Sequence, residues 1–198
     1  LPKAKVYVDG LTREASAIHT AYPEYLRQNI QRRILSNDSP FTSPVFNMVT
    51  GKNRDEVLVE GNAIILASSG MLNGGASLDY FHRMAEDERN ALVFTGYQGD
   101  GTLGRKLQGG IRDIPMADNK GKTKMVNVKL RVESLEGYSG HSDRGQLLNY
   151  IRNINPKPKR ILVDHGNRLK TVAFAKYITQ HLGISSTAMR NLDTMRLR

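Results

Sequence analysis

Three times in the first half of the chain, a short continuous apolar run gives way to a glycine-bearing turn or loop and then to a stretch with helical spacing. KVYVDG (5–10) precedes a helical stretch from Thr12 through Ile34, which Pro23 breaks or bends because it has no N–H to donate and its ring crowds the preceding turn. NAIILASSG (62–70) precedes ASLDYFHRMA (76–85), and NALVFTGYQ (90–98) precedes TLGRKLQ, for which Thr102 is the expected N-cap. Continuous apolar runs suit strands buried on both faces, so the alternation predicts an α/β fold with a parallel sheet. In such sheets chemistry sits at the carboxyl ends of the strands, which would set the Asp9-Gly10, Ser69-Gly70 and Gly96 turns along one edge.

The pattern changes near Lys122. TKMVNVKLRVESLEG (123–137) alternates as half-exposed strands do, and DNKGK (118–122) reads as a hairpin or linker turn. There follow GYSGHSDRG, a helix from Ser142 to Asn153, the break INPKPKR, the strand RILVDHG (160–166), and a helix from Leu169 to Leu182 closed by Gly183. Two parts are therefore expected, residues 1–121 and 122–198. Charge divides almost at the same place: residues 1–120 carry 14 Lys and Arg against 14 Asp and Glu, whereas residues 121–198 carry 15 against 5, the whole of the net +10. A segment this basic attracts a polyanion through counterion release, although a solvated basic face would look the same.

Several classes are excluded. Cysteine is absent, so there is no disulfide framework, thiolate metal site or cysteine nucleophile, and an intracellular, cytoplasmic protein fits best. No apolar run approaches the roughly 18 residues that span a bilayer, and no membrane partner is expected. The glycines of GYQGDGTLGRK (96–106) fit neither GxxxxGK[ST] nor a clean GxGxxG, so a structural turn is the simpler reading there. Ser69 in SSGMLNGG (68–75) has no base or orienting acid to make it a nucleophile.

His141 and His165 occupy equivalent places, each in a loop after a strand and before a helix. Gly140 and Gly166 beside them allow close approach of backbone or substrate. Ser139, Ser142 and the N–H groups that open the helix beyond them could receive a phosphate. Imidazole can supply a proton near neutral pH or coordinate zinc through a neutral nitrogen. Two histidines do not complete a catalytic zinc site, which takes three protein ligands and an open position; Asp143 and Asp164 are the possible additions. The alternative is that both are loop histidines that cap helices or bond carbonyls.

The segments KVYVDGLTREASAIHTAYPEYL, AIILASSGMLNGG, LVFTGYQGDGTLGRKLQGG, EGYSGHSDRGQLLNYIRNINPKPKRILVDHGN and NLDTMRL, in that order, resemble the β-CASP branch of the metallo-β-lactamase fold. Within that branch they are most similar to the archaeal relatives of the cleavage and polyadenylation specificity factor endonuclease. The resemblance implies a β-CASP domain (1–121), with a parallel sheet flanked by helices, inserted ahead of the C-terminal part of a metallo-β-lactamase αββα domain (122–198). It implies a metal-dependent endoribonuclease that cuts RNA near transcript 3′ ends. His141 would fall in the motif that protonates the leaving group or contacts the substrate phosphate, and His165 in the motif that ligates zinc. Gln98, Thr102 and Arg105 would border the RNA cleft. A homodimer formed through the extreme C-terminus, with Leu192, Met195 and Leu197, is implied as well.

Two departures follow. The family pattern His-Gly-Glu is here His165-Gly166-Asn167, and the HxHxDH cluster that supplies most metal ligands is missing, the only histidines being His19, His82, His141, His165 and His181. The chain also opens at Leu1 and not at a methionine. It is therefore expected to be a segment of a longer parent that uses two zinc ions, to bind none stably by itself, and to be inactive alone. The rival expectation is a catalytically dead homologue that grips RNA or a partner through its basic segment.

Overall fold

A computed structural model describes residues 4–59, 61–117, 121–138 and 140–196, and they form two compact units, residues 1–139 and 140–198. In the first, β1 (Lys5–Asp9) leads into α1 (Leu11–Ala21), a 3₁₀ turn over Pro23–Tyr25 and α2 (Gln28–Leu35). The bend expected at Pro23 is this turn: α1 stops at Ala21 and helix resumes only at Gln28. After β2 (Phe46–Met48) and α3 (Arg54–Val59), the chain returns through β3 (Ala63–Ala67) and α4 (Gly75–Met84).

These strands form a parallel sheet in the order β2-β1-β3, with Val6 opposite both Phe46 and Ile64, and Val8 opposite Met48 and Leu66. Tyr7, Val49, Val57, Ala76 and Tyr80 bury one face of it. Gly10, at φ +69°, turns the chain from β1 into α1, and a Cβ there would stand 2.7 Å from Ser68 Oγ, so neither the backbone angle nor the space admits a side chain.

The third apolar run does not join that sheet. β4 (Ala91–Phe94) pairs in parallel with β7 (Arg131–Ser134), while β5 (Asp113–Ala117) and β6 (Thr123–Asn127) form an antiparallel hairpin. DNKGK lies between the hairpin strands; its residues 118–120 are outside the described residues. Helix α5 (Leu103–Gln108) seals this half, whose core includes Leu72, Phe81, Phe94, Leu107, Ile114, Val128 and Leu130. By its packing the chain divides at residue 139, because β6 and β7 are paired to strands of the first unit.

The second unit runs α6 (Arg144–Asn153), β8 (Arg160–Val163), α7 (Arg168–Leu182) and β9 (Ser185–Ala188), with β8 and β9 parallel. Leu148, Ile151 and Ile178 are its buried centre, against which Ile161, Val163, Phe174 and Tyr177 pack. Gly183 ends α7 in the left-handed conformation, as its sequence position predicts. Leu162, on the other face of β8, is 41% exposed, and Leu169 at the start of α7 is 80% exposed.

Candidate functional site

In the first unit, three strand-to-helix turns are tied together by hydrogen bonds. At the end of β1 the Asp9 carboxylate is almost fully buried. It accepts from Arg54 Nε at 2.7 Å, Arg54 Nη2 at 3.2 Å, the Tyr80 hydroxyl at 3.1 Å and the Gly10 N–H at 2.6 Å. Burial pushes this carboxyl up, but the bonds from Arg54, Tyr80 and Gly10 together outweigh it and hold Asp9 below its usual range. Burial and the bond to Asp9 push the Tyr80 hydroxyl up, and the Arg54 guanidinium is raised by the same partner. Arg54 also reaches Asp79, which pairs in turn with Arg83.

The next turn docks on this one. Leu11 donates its N–H to Ser68 Oγ at 2.9 Å, Ser77 donates its N–H to the Ser68 carbonyl at 2.8 Å, and the Ser77 hydroxyl donates to the Ser69 carbonyl at 2.5 Å. The third turn is fastened by Gln98, which is 3% exposed and donates from Nε2 to the carbonyls of Gly70 at 2.8 Å and Gly96 at 3.2 Å. Its Oε1 is buried with no hydrogen-bond partner, and Gly104 sits against it. The edge expected from the sequence exists, joined by side chains and not by a continuous sheet. Gln98 contributes to it from inside, where it meets carbonyls and not solvent.

Thr102 caps α5 as expected: its Oγ1 accepts from the Arg105 N–H at 3.2 Å and donates to the Gly99 carbonyl at 2.7 Å. Arg105 is exposed on the first turn of that helix, with Nε 3.8 Å from Asp100 Oδ1. Gln98 and Thr102 lie on the loop after β4 and Arg105 on the first turn of the helix that follows it.

The histidines lie in the second unit. Gly140, His141 and Ser142 are exposed in the segment ahead of α6, and Ser139 lies outside the described residues. Asp143, a possible addition to a metal site, is the N-cap of α6. Its Oδ1 accepts the Gln146 N–H at 2.8 Å while Gln146 Oε1 accepts the Asp143 N–H at 3.0 Å. The helix opens two residues later than expected, and a carboxylate already occupies its positive end. His165, exposed after β8, adopts φ +60°, an unusual angle outside glycine. Asn167, standing where the family pattern has glutamate, caps α7 by accepting the Leu169 N–H at 3.0 Å.

Among the described residues, no group of three or more His, Asp or Glu side chains converges to hold a metal ion. Nor is any helix among them long and apolar enough to cross a membrane. Beyond α7 the tail holds Leu192 fully exposed, and Met195 Sδ lies 3.2 Å from Arg160 Nη1; Leu197 is outside the described residues.

Comparison with known proteins decides the lineage. The Beta-Casp domain family matches residues 1–107. This chain belongs to the Beta-Casp family. A second match, described as a Zn-dependent metallo-hydrolase RNA specificity domain, covers residues 125–189 and contains both His141 and His165. Beta-Casp relatives similar over nearly the whole chain are archaeal proteins named transcription termination factor FttA. That of Methanococcus maripaludis is 48% identical over 98% of this chain and that of Pyrococcus abyssi 43% over 98%, each with 31% of its own length covered. That of Methanothermobacter thermautotrophicus is 44% identical over all of this chain, again with 31% covered. The chain thus spans about a third of the length of these curated relatives.

The buried Asp9–Arg54–Tyr80 cluster escaped the sequence reading. Its one local signal is an acid directly after the apolar run KVYV; the partners lie 45 and 71 residues on, and nothing in spacing joins them.

Proposed function

We propose that the protein to which this chain belongs is a cytoplasmic zinc-dependent endoribonuclease, one that cuts RNA near transcript 3′ ends and takes part in transcription termination. The chain contributes the Beta-Casp domain, residues 1–121, and the C-terminal segment of the metallo-hydrolase domain, residues 122–198. The supporting observation is the position of His141 and His165, both in exposed turns ahead of α6 and α7, inside the span that matches an RNA specificity domain of Zn-dependent metallo-hydrolases. In this reading His165 is one zinc ligand. His141 gives a proton to the leaving oxygen or holds the substrate phosphate, which the small neighbours Ser139, Gly140 and Ser142 allow to approach. Two zinc ions need more ligands than this chain offers, so the isolated chain is expected to leave RNA uncut. The exposed tail at Leu192 forms the homodimer contact.

The test is RNA cleavage with zinc by the whole protein, comparing the unaltered form with His141→Ala and His165→Ala, and circular dichroism to verify the fold. Loss of cleavage in both variants is the expected result. A second reading, an RNA-binding scaffold without catalysis, is favoured by the net +10 confined to residues 121–198. An unaltered whole protein that binds RNA in a salt-dependent way and never cuts it would establish that reading instead.

A further inference from the structure

Gly99 marks a place where side chains from two turns converge. A Cβ built there would stand 3.6 Å from Met71 Sδ, 3.6 Å from Thr102 Cγ2 and 3.9 Å from Tyr97 Cε1. Met71 comes from the turn after β3, the other two from the turn after β4. Gln98 explains why they meet. With its amide spent on Gly70 and Gly96, residue 98 points inward at 3% exposure, while its neighbour Tyr97 stands outward at 60%. A second tie, from the Gly104 N–H to the Met71 carbonyl at 3.3 Å, fixes the same two turns together. Around this cluster the backbone is open: a Cβ on Gly70, Gly96 or Gly101 would meet nothing within 4 Å.

An outward aromatic ring, a polarisable thioether that reaches the same Gly99 backbone and bare backbone around them make a surface on which a flat ring can lie. It stands at the carboxyl ends of β3 and β4, where α/β folds bind ligands. Arg105 is one helical turn away, its side chain 57% exposed, and its contact with Asp100 at 3.8 Å is of the weak, solvated kind that yields to a phosphate. We propose that Tyr97 is a nucleobase-stacking residue for single-stranded RNA, held outward by Gln98 as a positioning residue, with Arg105 on the adjoining phosphate. Stacking on an aromatic ring suits unpaired bases of any sequence, because each has a π face. The inference rests on the RNA reading above and assigns part of the contact to the first unit.

The experiment uses this 198-residue chain and a single-stranded RNA of about 12 nucleotides, within the span one binding fold covers. Affinity is followed by fluorescence anisotropy across a salt series. Tyr97→Ala is expected to weaken binding roughly 5- to 100-fold with an unchanged salt slope, and Tyr97→Phe to restore it. Arg105→Ala is expected to flatten the slope by about one phosphate contact. The chain has no tryptophan, so Tyr97→Trp places a single reporter whose emission RNA should quench, and adding Gln98→Leu should reduce that quenching. Tyr150→Trp, on α6, serves as the comparison and should be quenched less. If the unaltered chain binds RNA and Tyr97→Ala binds it equally well, the stacking assignment is wrong and the RNA reading survives. If the unaltered chain binds no RNA even at low salt, the stacking assignment is overturned, while the RNA reading of the whole protein stands or falls on the cleavage test above.

Discussion

Asp9 and Arg54, 45 residues apart in sequence, meet through two hydrogen bonds, Nε to Oδ2 at 2.7 Å and Nη2 to Oδ1 at 3.2 Å. The Asp9 side chain is only 3% exposed. Such a pair adds little net stability compared with an apolar replacement, but removing one partner leaves a buried charge unmatched. Arg54→Ala is therefore expected to cost roughly 3–5 kcal/mol, read as a lower urea midpoint at unchanged m. A loss below about 1 kcal/mol, the worth of an exposed pair, would mean that water compensates Asp9.

The same carboxylate sets a pH dependence. Its folded pKa lies below the unfolded value, so its contribution is complete above the unfolded pKa of about 4 and is lost as pH falls through the folded one. Urea unfolding between pH 7 and pH 2.5 should show stability falling below about pH 4, with a shallower fall in Arg54→Ala. Identical acid slopes in the two proteins would remove Asp9 from the cause.

Gly104 has no room to grow. A Cβ there would lie 1.8 Å from Gln98 Oε1 and 3.1 Å from Phe94 Cε1, between the buried amide and the core. Gly104→Ala should destabilise by about 1–3 kcal/mol, the usual range for overpacking, seen as a lower thermal midpoint. In a Gln98→Ala background the penalty should shrink, because the nearer obstacle is gone; full additivity would place the strain elsewhere.

Ile178 is fully buried at the centre of the second unit. Ile178→Ala should cost roughly 2–5 kcal/mol. Since its contacts lie within residues 140–198, hydrogen exchange should quicken in α6, β8 and α7 while β1 and β3 keep their protection. Equal loss of protection in β1 and β3 would show the two units to unfold as one.

What the sequence revealed was mostly local. Thr102 as a cap, Pro23 as a break and Gly183 as a stop each act within one turn of the residue concerned, and each is found where expected. β2 and β9 were not foreseen, since three residues of FNM or four of SSTA carry too little apolar pattern to mark a strand. The pairing of β4 with β7 instead of β3 depends on contacts between distant segments, which periodicity does not encode. At the site, Asp143 was weighed only as a possible addition to a metal site, and its place as a cap follows from position, because a carboxylate ahead of a helix finds backbone N–H groups within reach. Gln98 was singled out as a substrate contact, and its burial could be read only from the fold.

The parallel pair β4–β7 closes over a connection that contains α5 and the whole β5–β6 hairpin, whereas β2, β1 and β3 are complete by residue 67. A parallel pair cannot be joined by a tight turn and depends on its crossover remaining intact. A protease cut between Phe94 and Arg131 would therefore turn an intramolecular closure into an association between two pieces, with the loss of its effective concentration. The same cut leaves every strand of the β2-β1-β3 sheet on one covalent chain.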